Sequence, residues 1–143
     1  MNLQGQTALV TGASSGIGAA IAEQLVTAGV KVILLARRIG RLEEWAKQMQ
    51  VKTKTPIFIA EGDVRHPEAI TQILHSLPKA FRDIDILVNS AGLAAGLEWV
   101  HEAHLEDWEA MIDTNFKGLV YVTRAVLPLM RERERGHIIN GHL

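Results

Sequence analysis

The chain has 143 residues, 48% of them hydrophobic and 22% charged, with a formal net charge of −1. These values fit one globular domain with a real core and give no electrostatic case for a nucleic acid or an anionic membrane as partner. With no cysteine in the chain, disulfides and thiolate metal sites are excluded.

Residues 1–6 carry neither a basic nor an apolar stretch, so no secretory signal is visible. No apolar run reaches the roughly 18 residues of a membrane helix. A cytoplasmic setting is expected, with residues 1–143 forming a single domain.

The first predicted strand is Thr7–Val10, and the turn Thr11-Gly12-Ala13-Ser14-Ser15-Gly16-Ile17-Gly18 follows it. A glycine-rich turn between a strand and a helix suits a pyrophosphate. Gly12 would allow the tight turn, Gly16 would admit the pyrophosphate to the backbone, and Gly18 would bring helix and strand together. The N–H groups at the helix start would then face the anion. That helix is predicted over Gly16–Ala28, with Ile17, Ile21 and Leu25 on one face and Gly29 as a C-cap.

A second strand, Lys31–Leu35, is followed by Ala36-Arg37-Arg38. An acidic residue at this place would bind the 2′-hydroxyl of NAD, whereas a guanidinium can clamp a 2′-phosphate. Arg37 and Arg38 therefore favour NADP over the plain alternative of two surface arginines. A helix is predicted over Arg41–Gln50, a strand over Pro56–Ala60, and Asp63-Val64 just beyond it. A third helix begins near Pro67, where proline suits the first turn. The strand Asp85–Val88 runs into Asn89-Ser90-Ala91-Gly92, a small-residue turn at a carboxyl edge where α/β sheets bind ligands.

The last helical region is predicted from Leu105 to Glu134, broken near Asn115 and open to a kink at Pro128. Leu119, Val122, Val126 and Met130 should form its buried stripe. The mixed charges of Arg131 to Arg135 read as a solvated helix end. His137–Asn140 is the fifth strand. His101 and His104 lie three apart, but no motif supplies further ligands, so no metal site is expected. Alternation of strands and helices gives the fold class: α/β, a Rossmann-type doubly wound parallel sheet.

Thr-Gly-x-x-x-Gly-x-Gly, Asp63-Val64, the near match Asn89-Ser90-Ala91-Gly92 and Asp113-Thr114-Asn115, in that order, resemble the classical short-chain dehydrogenase/reductase family over nearly the whole chain. Ile84 to Asn140 resembles the NADP-dependent 3-hydroxy acid dehydrogenases, which act on serine, allo-threonine and related acids. The resemblance implies that Gly12, Ser14, Ser15, Gly16, Ile17 and Gly18 hold the pyrophosphate and adenosine ribose, and that Arg37 and Arg38 hold the 2′-phosphate. It implies that Asp63 and Val64 face the adenine and that Asn89 lies along a ribose, with Ala91 and Gly92 close to the cofactor. Asn115 matches the family's structural and proton-relay asparagine. Ser90 departs from the second asparagine of the family motif.

The family's reaction also needs a serine, and a tyrosine followed four residues later by lysine. The one tyrosine here, Tyr121, is followed by Ala125 at that spacing and reads as a packing residue. The 143 residues are therefore expected to be a sheet truncated after the fifth strand, whether by frameshift, early stop or fragmentation. Two functions stay open: an NADP-dependent oxidoreductase represented by its cofactor-binding half and inactive alone, and a non-catalytic NADP-binding or interaction module. Self-association or aggregation is expected from the exposed fifth strand.

Overall fold

A computed structural model describes residues 3–13, 16–90 and 105–140. Its strands are β1 (Thr7–Thr11), β2 (Lys31–Ala36), β3 (Ile57–Glu61), β4 (Ile86–Asn89) and β5 (His137–Asn140). All pair in parallel, in the order β3-β2-β1-β4-β5. This is the doubly wound arrangement expected from the sequence, with its reversal point between β1 and β4.

The helices are α1 (Gly16–Thr27), α2 (Gly40–Thr53), α3 (Pro67–His75), α4 (Leu105–Met111) and α5 (Gly118–Glu132). Successive strand residues point to opposite faces, and both faces are covered. Ala8, Val10, Val32 and Leu34 pack with Ala22, Val26, Leu42 and Met49 on one side. Leu9, Ile33, Leu35 and Leu87 pack with Ile70, Val122, Val126 and Met130 on the other.

Helix α1 ends as predicted. Gly29 has φ +85°, its N–H donates to the Val26 carbonyl, and Val30 N–H reaches back to Leu25, which is a Schellman cap. Its buried line differs from the predicted one. Ala22 and Val26 are fully buried while Ile21 and Leu25 only flank the core, because small residues let the helix lie close to the sheet. Helix α2 runs on to Thr53, whose hydroxyl donates to the Met49 carbonyl, and stops at Lys54 in the left-handed region at φ +58°.

The last helical region is interrupted around Asn115, as expected, though by a change of helix type and not by a turn. Residues Ile112–Lys117 form a π-helical segment that joins α4 to α5. The buried stripe of α5 is Gly118, Val122, Val126 and Met130, so Gly118 takes the place expected of Leu119. Leu119 is half-buried, and α5 passes through Pro128. A short 3-10 turn, Lys79–Phe81, was not foreseen; it seats Phe81 against Phe58 with ring centroids 5.8 Å apart. No helix among the described residues is long and apolar enough to cross a membrane.

Candidate functional site

The carboxyl ends of β1 and β4 are laced together. Thr11 Oγ1 donates to the Val88 carbonyl at 3.4 Å and accepts the Ser90 N–H at 3.0 Å. The Ser90 hydroxyl donates to the Thr11 carbonyl. Ser90 thus fills the place of the family's second asparagine with a small buried group that makes its own cross-strand bond. Gly12 turns away from β1 with φ +62°, and its N–H still reaches the Leu35 carbonyl at 3.0 Å.

Gly18 faces that turn. A Cβ there would fall onto the Gly12 carbonyl oxygen, lie 2.9 Å from the Gly12 carbonyl carbon and 3.0 Å from Ser90 Oγ. The predicted role of Gly18, close approach of helix and strand, is therefore visible in backbone geometry. Gly16 and Ile17 form the first turn of α1, whose N–H groups have no intrahelical acceptor. Ser14, Ser15, Ala91, Gly92, His101 and His104 lie outside the described residues.

Arg37 and Arg38 follow β2 directly and are exposed. Among the described residues neither guanidinium is held by an ion pair or a hydrogen bond. Beyond β3, Asp63 is held by Arg65, whose Nη2 lies 2.6 Å from Oδ2. That bond keeps the Asp63 carboxyl below the usual carboxylate range against the opposing effect of burial, so it is ionised at neutral pH. Val64 is buried, with its side chain under Gly118. Its side chain is spent on packing, and what it can offer a base is backbone.

Asn89 ends β4, 4% exposed. Its Nδ2 donates to Thr123 Oγ1 at 3.1 Å and to Asn140 Oδ1 at 3.0 Å, tying β4 to α5 and β5. Its Oδ1 is buried with no partner among the described residues. Asn115 lies exposed in the π-helical segment; such segments recur at functional sites. Within it Lys117 pairs with Asp113 at 3.2 Å, which raises the lysine pKa. Tyr121 packs half-buried against the core, as the sequence implied.

Sequence reasoning missed Asp85, which it read as a strand residue. Asp85 is 6% exposed and lies at the amino edge, opposite the glycine turn. Its Oδ2 accepts the Thr7 N–H at 3.0 Å. Its Oδ1 meets Arg133 Nη2 at 3.1 Å and Arg135 Nε at 3.2 Å as ion pairs, without a well-directed hydrogen bond. A polar cleft of about 430 Å³ opens there, lined by Lys31, Asp83, Asp85 and Arg133 among others. Among the described residues no group of three His, Asp or Glu side chains could hold a metal.

Comparison with known proteins agrees with this geometry. Residues 6–141 match the short chain dehydrogenase family. An NADP-dependent 3-hydroxy acid dehydrogenase of Salmonella typhi is 54% identical over 132 residues, 92% of this chain and 52% of the relative. The crystal structure of serine dehydrogenase from Escherichia coli aligns with a TM-score of 0.86 at 52% identity, covering 94% of this chain and 60% of that one. L-sorbose reductase from Gluconobacter frateurii, solved with NADPH and L-sorbose, aligns with a TM-score of 0.85 at 35% identity, over 98% of this chain and 54% of that one. The chain spans about half the length of the curated relatives it matches.

Proposed function

The chain belongs to the short-chain dehydrogenase family, and on that premise we propose that it carries the NADP-binding part of an oxidoreductase acting on a 3-hydroxy acid or a similar small alcohol. The observation that carries this reading is the approach of Gly18 to Gly12 beside the β1–β4 reversal point. Backbone so bare of side chains, next to a helix start, suits a pyrophosphate.

Around it the roles divide by chemistry. Gly12, Ser14, Ser15, Gly16, Ile17 and Gly18 would cradle the phosphates and adenosine ribose. Arg37 and Arg38, with no partner among the described residues, would take the 2′-phosphate. Asp63 would accept from the adenine, and the Val64 backbone would lie beside it. Asn89, Ala91 and Gly92 would border the nicotinamide half. Bound NADP would supply a hydride acceptor or donor at its nicotinamide ring. Asn115 would be the structural and proton-relay asparagine of the family.

The 143 residues contain no Tyr-x-x-x-Lys, so the acid–base step has no tuned phenol to perform it. That favours binding without turnover for this chain, and a non-catalytic NADP-binding module is the second reading. Cofactor choice tests both. Each hydrogen bond to a charged group contributes on the order of 1.5–3 kcal/mol, which predicts tenfold or greater preference for NADP over NAD. Calorimetric titration of both cofactors, repeated with Arg37→Asp, measures it. Equal affinities in the parent chain would overturn the assignment.

A further inference from the structure

Gly118 stands where the π-helical segment passes into α5, and its backbone does not ask for glycine. Its φ lies outside the left-handed region, and glycine is among the poorest residues for a helix. What excludes a side chain is a neighbour. A Cβ built there would lie 2.5 Å from Val64 Cγ2, 3.1 Å from Val64 Cβ and 3.6 Å from the Asp113 carbonyl oxygen.

Val64 has little freedom to step aside. It is 6% exposed and packs with Leu35, Ala60, Ile70 and Val122, and a β-branched side chain has few rotamers to exchange. The loop that carries it is fastened on both sides. Gly62 N–H donates to the Ala36 carbonyl at 2.9 Å, Arg65 N–H to Asp63 Oδ1 at 2.9 Å, and His66 N–H to the Asp63 carbonyl at 3.0 Å. Charge joins the same two segments. Asp113 pairs with Lys117 at 3.2 Å, and it adds to the stronger hold of Asp63 in keeping the Arg65 guanidinium charged. The loop after β3 and the segment before α5 thus meet at one close steric seat and one charge contact.

We propose that Gly118 is a positioning residue for the cofactor: its bare backbone seats Val64 and so sets the height at which the loop after β3 meets the adenine half of NADP. This rests on the NADP reading above. Gly118 acts through Val64, so a side chain placed at 118 reaches the cofactor only by displacing residues 63–65.

The test titrates the parent chain, Gly118→Ala, Val64→Ala and the double variant with NADP and with adenosine 2′-phosphate 5′-diphosphate, the adenine half alone. Urea unfolding of each gives its folded fraction, against which the affinities are corrected. Gly118→Ala should weaken both ligands alike, by about fivefold, a change within reach of residues that touch no ligand. Val64→Ala removes the methyls that the new Cβ meets, so adding Gly118→Ala to it should alter either affinity by less than about twofold. A packing role alone would lower the urea midpoint of Gly118→Ala and leave the corrected affinities at the parent values. That result overturns the positioning role and leaves the NADP reading intact, as does equal weakening by Gly118→Ala with and without the Val64 methyls. Should Gly118→Ala not fold, the two Val64→Ala chains decide: a double variant that binds like Val64→Ala upholds the seat, and one that fails to fold or bind overturns it. A parent chain that binds neither ligand overturns both readings.

Discussion

Placing a single methyl group at Gly18 tests the central geometry. In an exposed helix, glycine to alanine gains about 0.8–1.0 kcal/mol of helix propensity. At Gly18 the new Cβ meets backbone: the carbonyl oxygen of Gly12, and its carbon at 2.9 Å. Overpacking of this kind costs typically ~1–3 kcal/mol. The carbonyl cannot swing aside freely, because Gly12 is tied to Leu35 by its N–H at 3.0 Å, a bond contributing about 0.5–1.5 kcal/mol. Gly18→Ala should therefore lose about 1–3 kcal/mol net, a fall in urea midpoint on the order of 1 M. NADP affinity should fall with it as α1 is pushed off the turn. Gly40→Ala is the control. Gly40 opens α2 with nothing within 4 Å of a built Cβ, so the same substitution should be neutral or stabilise by up to about 1 kcal/mol. Urea unfolding of the three proteins decides the matter. A Gly18→Ala variant as stable as Gly40→Ala, with unchanged NADP binding, would refute the close-approach reading.

The 143-residue chain should show no reduction of NADP with serine, allo-threonine or 3-hydroxypropionate, since loss of the acid–base pair typically costs at least ~10²–10⁴-fold; turnover near 1 s⁻¹, ordinary for an enzyme, would contradict this. The chain should also self-associate, because β5 leaves Ile138 36% and Ile139 50% exposed and α5 leaves Leu127 41% exposed. Light scattering at micromolar concentration measures it, and a monodisperse, cooperatively unfolding monomer would count against it.

Strands β1, β2 and β4 were legible because apolar runs answer to burial on both faces, which the sequence carries locally. Their ends moved by a residue for reasons that lie across space. Thr11 and Asn89 join β1 and β4 through pairing and side-chain bonds to distant residues, and Pro56 drops out of β3 for want of an N–H. The glycine turn was readable because Gly12 and Gly18 each answer a geometric demand within a few residues. Arg65 was not singled out, although the Asp-x-Arg spacing at 63–65 was a signal available for it. Asp85 could not be read from its neighbours, since its partners Thr7, Arg133 and Arg135 are distant in sequence. Leu119 was misassigned because the positions three and four residues before Val122 both fit one helical face, and it is Gly118, close against Val64, that turns inward.

Strand β5 is exposed along all its residues, so no buried face dictates how it lines up with β4. For most strands a slip would bring apolar groups into water and be rejected on that ground. Here the alignment is set by polar fastenings at both ends. At one end the Asp85 carbonyl accepts the His137 N–H at 2.9 Å while its carboxylate holds Arg133 and Arg135. At the other, the Asn89 amide meets Asn140. A slip of one residue moves each group about 3.3 Å along the strand, enough to break both. A slip of two, which would return every side chain to its original face, breaks them as well. The fifth strand is thus indexed like a key by hydrogen bonds and charge. Asn140 is delivered beside Asn89 at the crevice mouth by a lock whose other half, Asp85, sits at the amino end of the same strand.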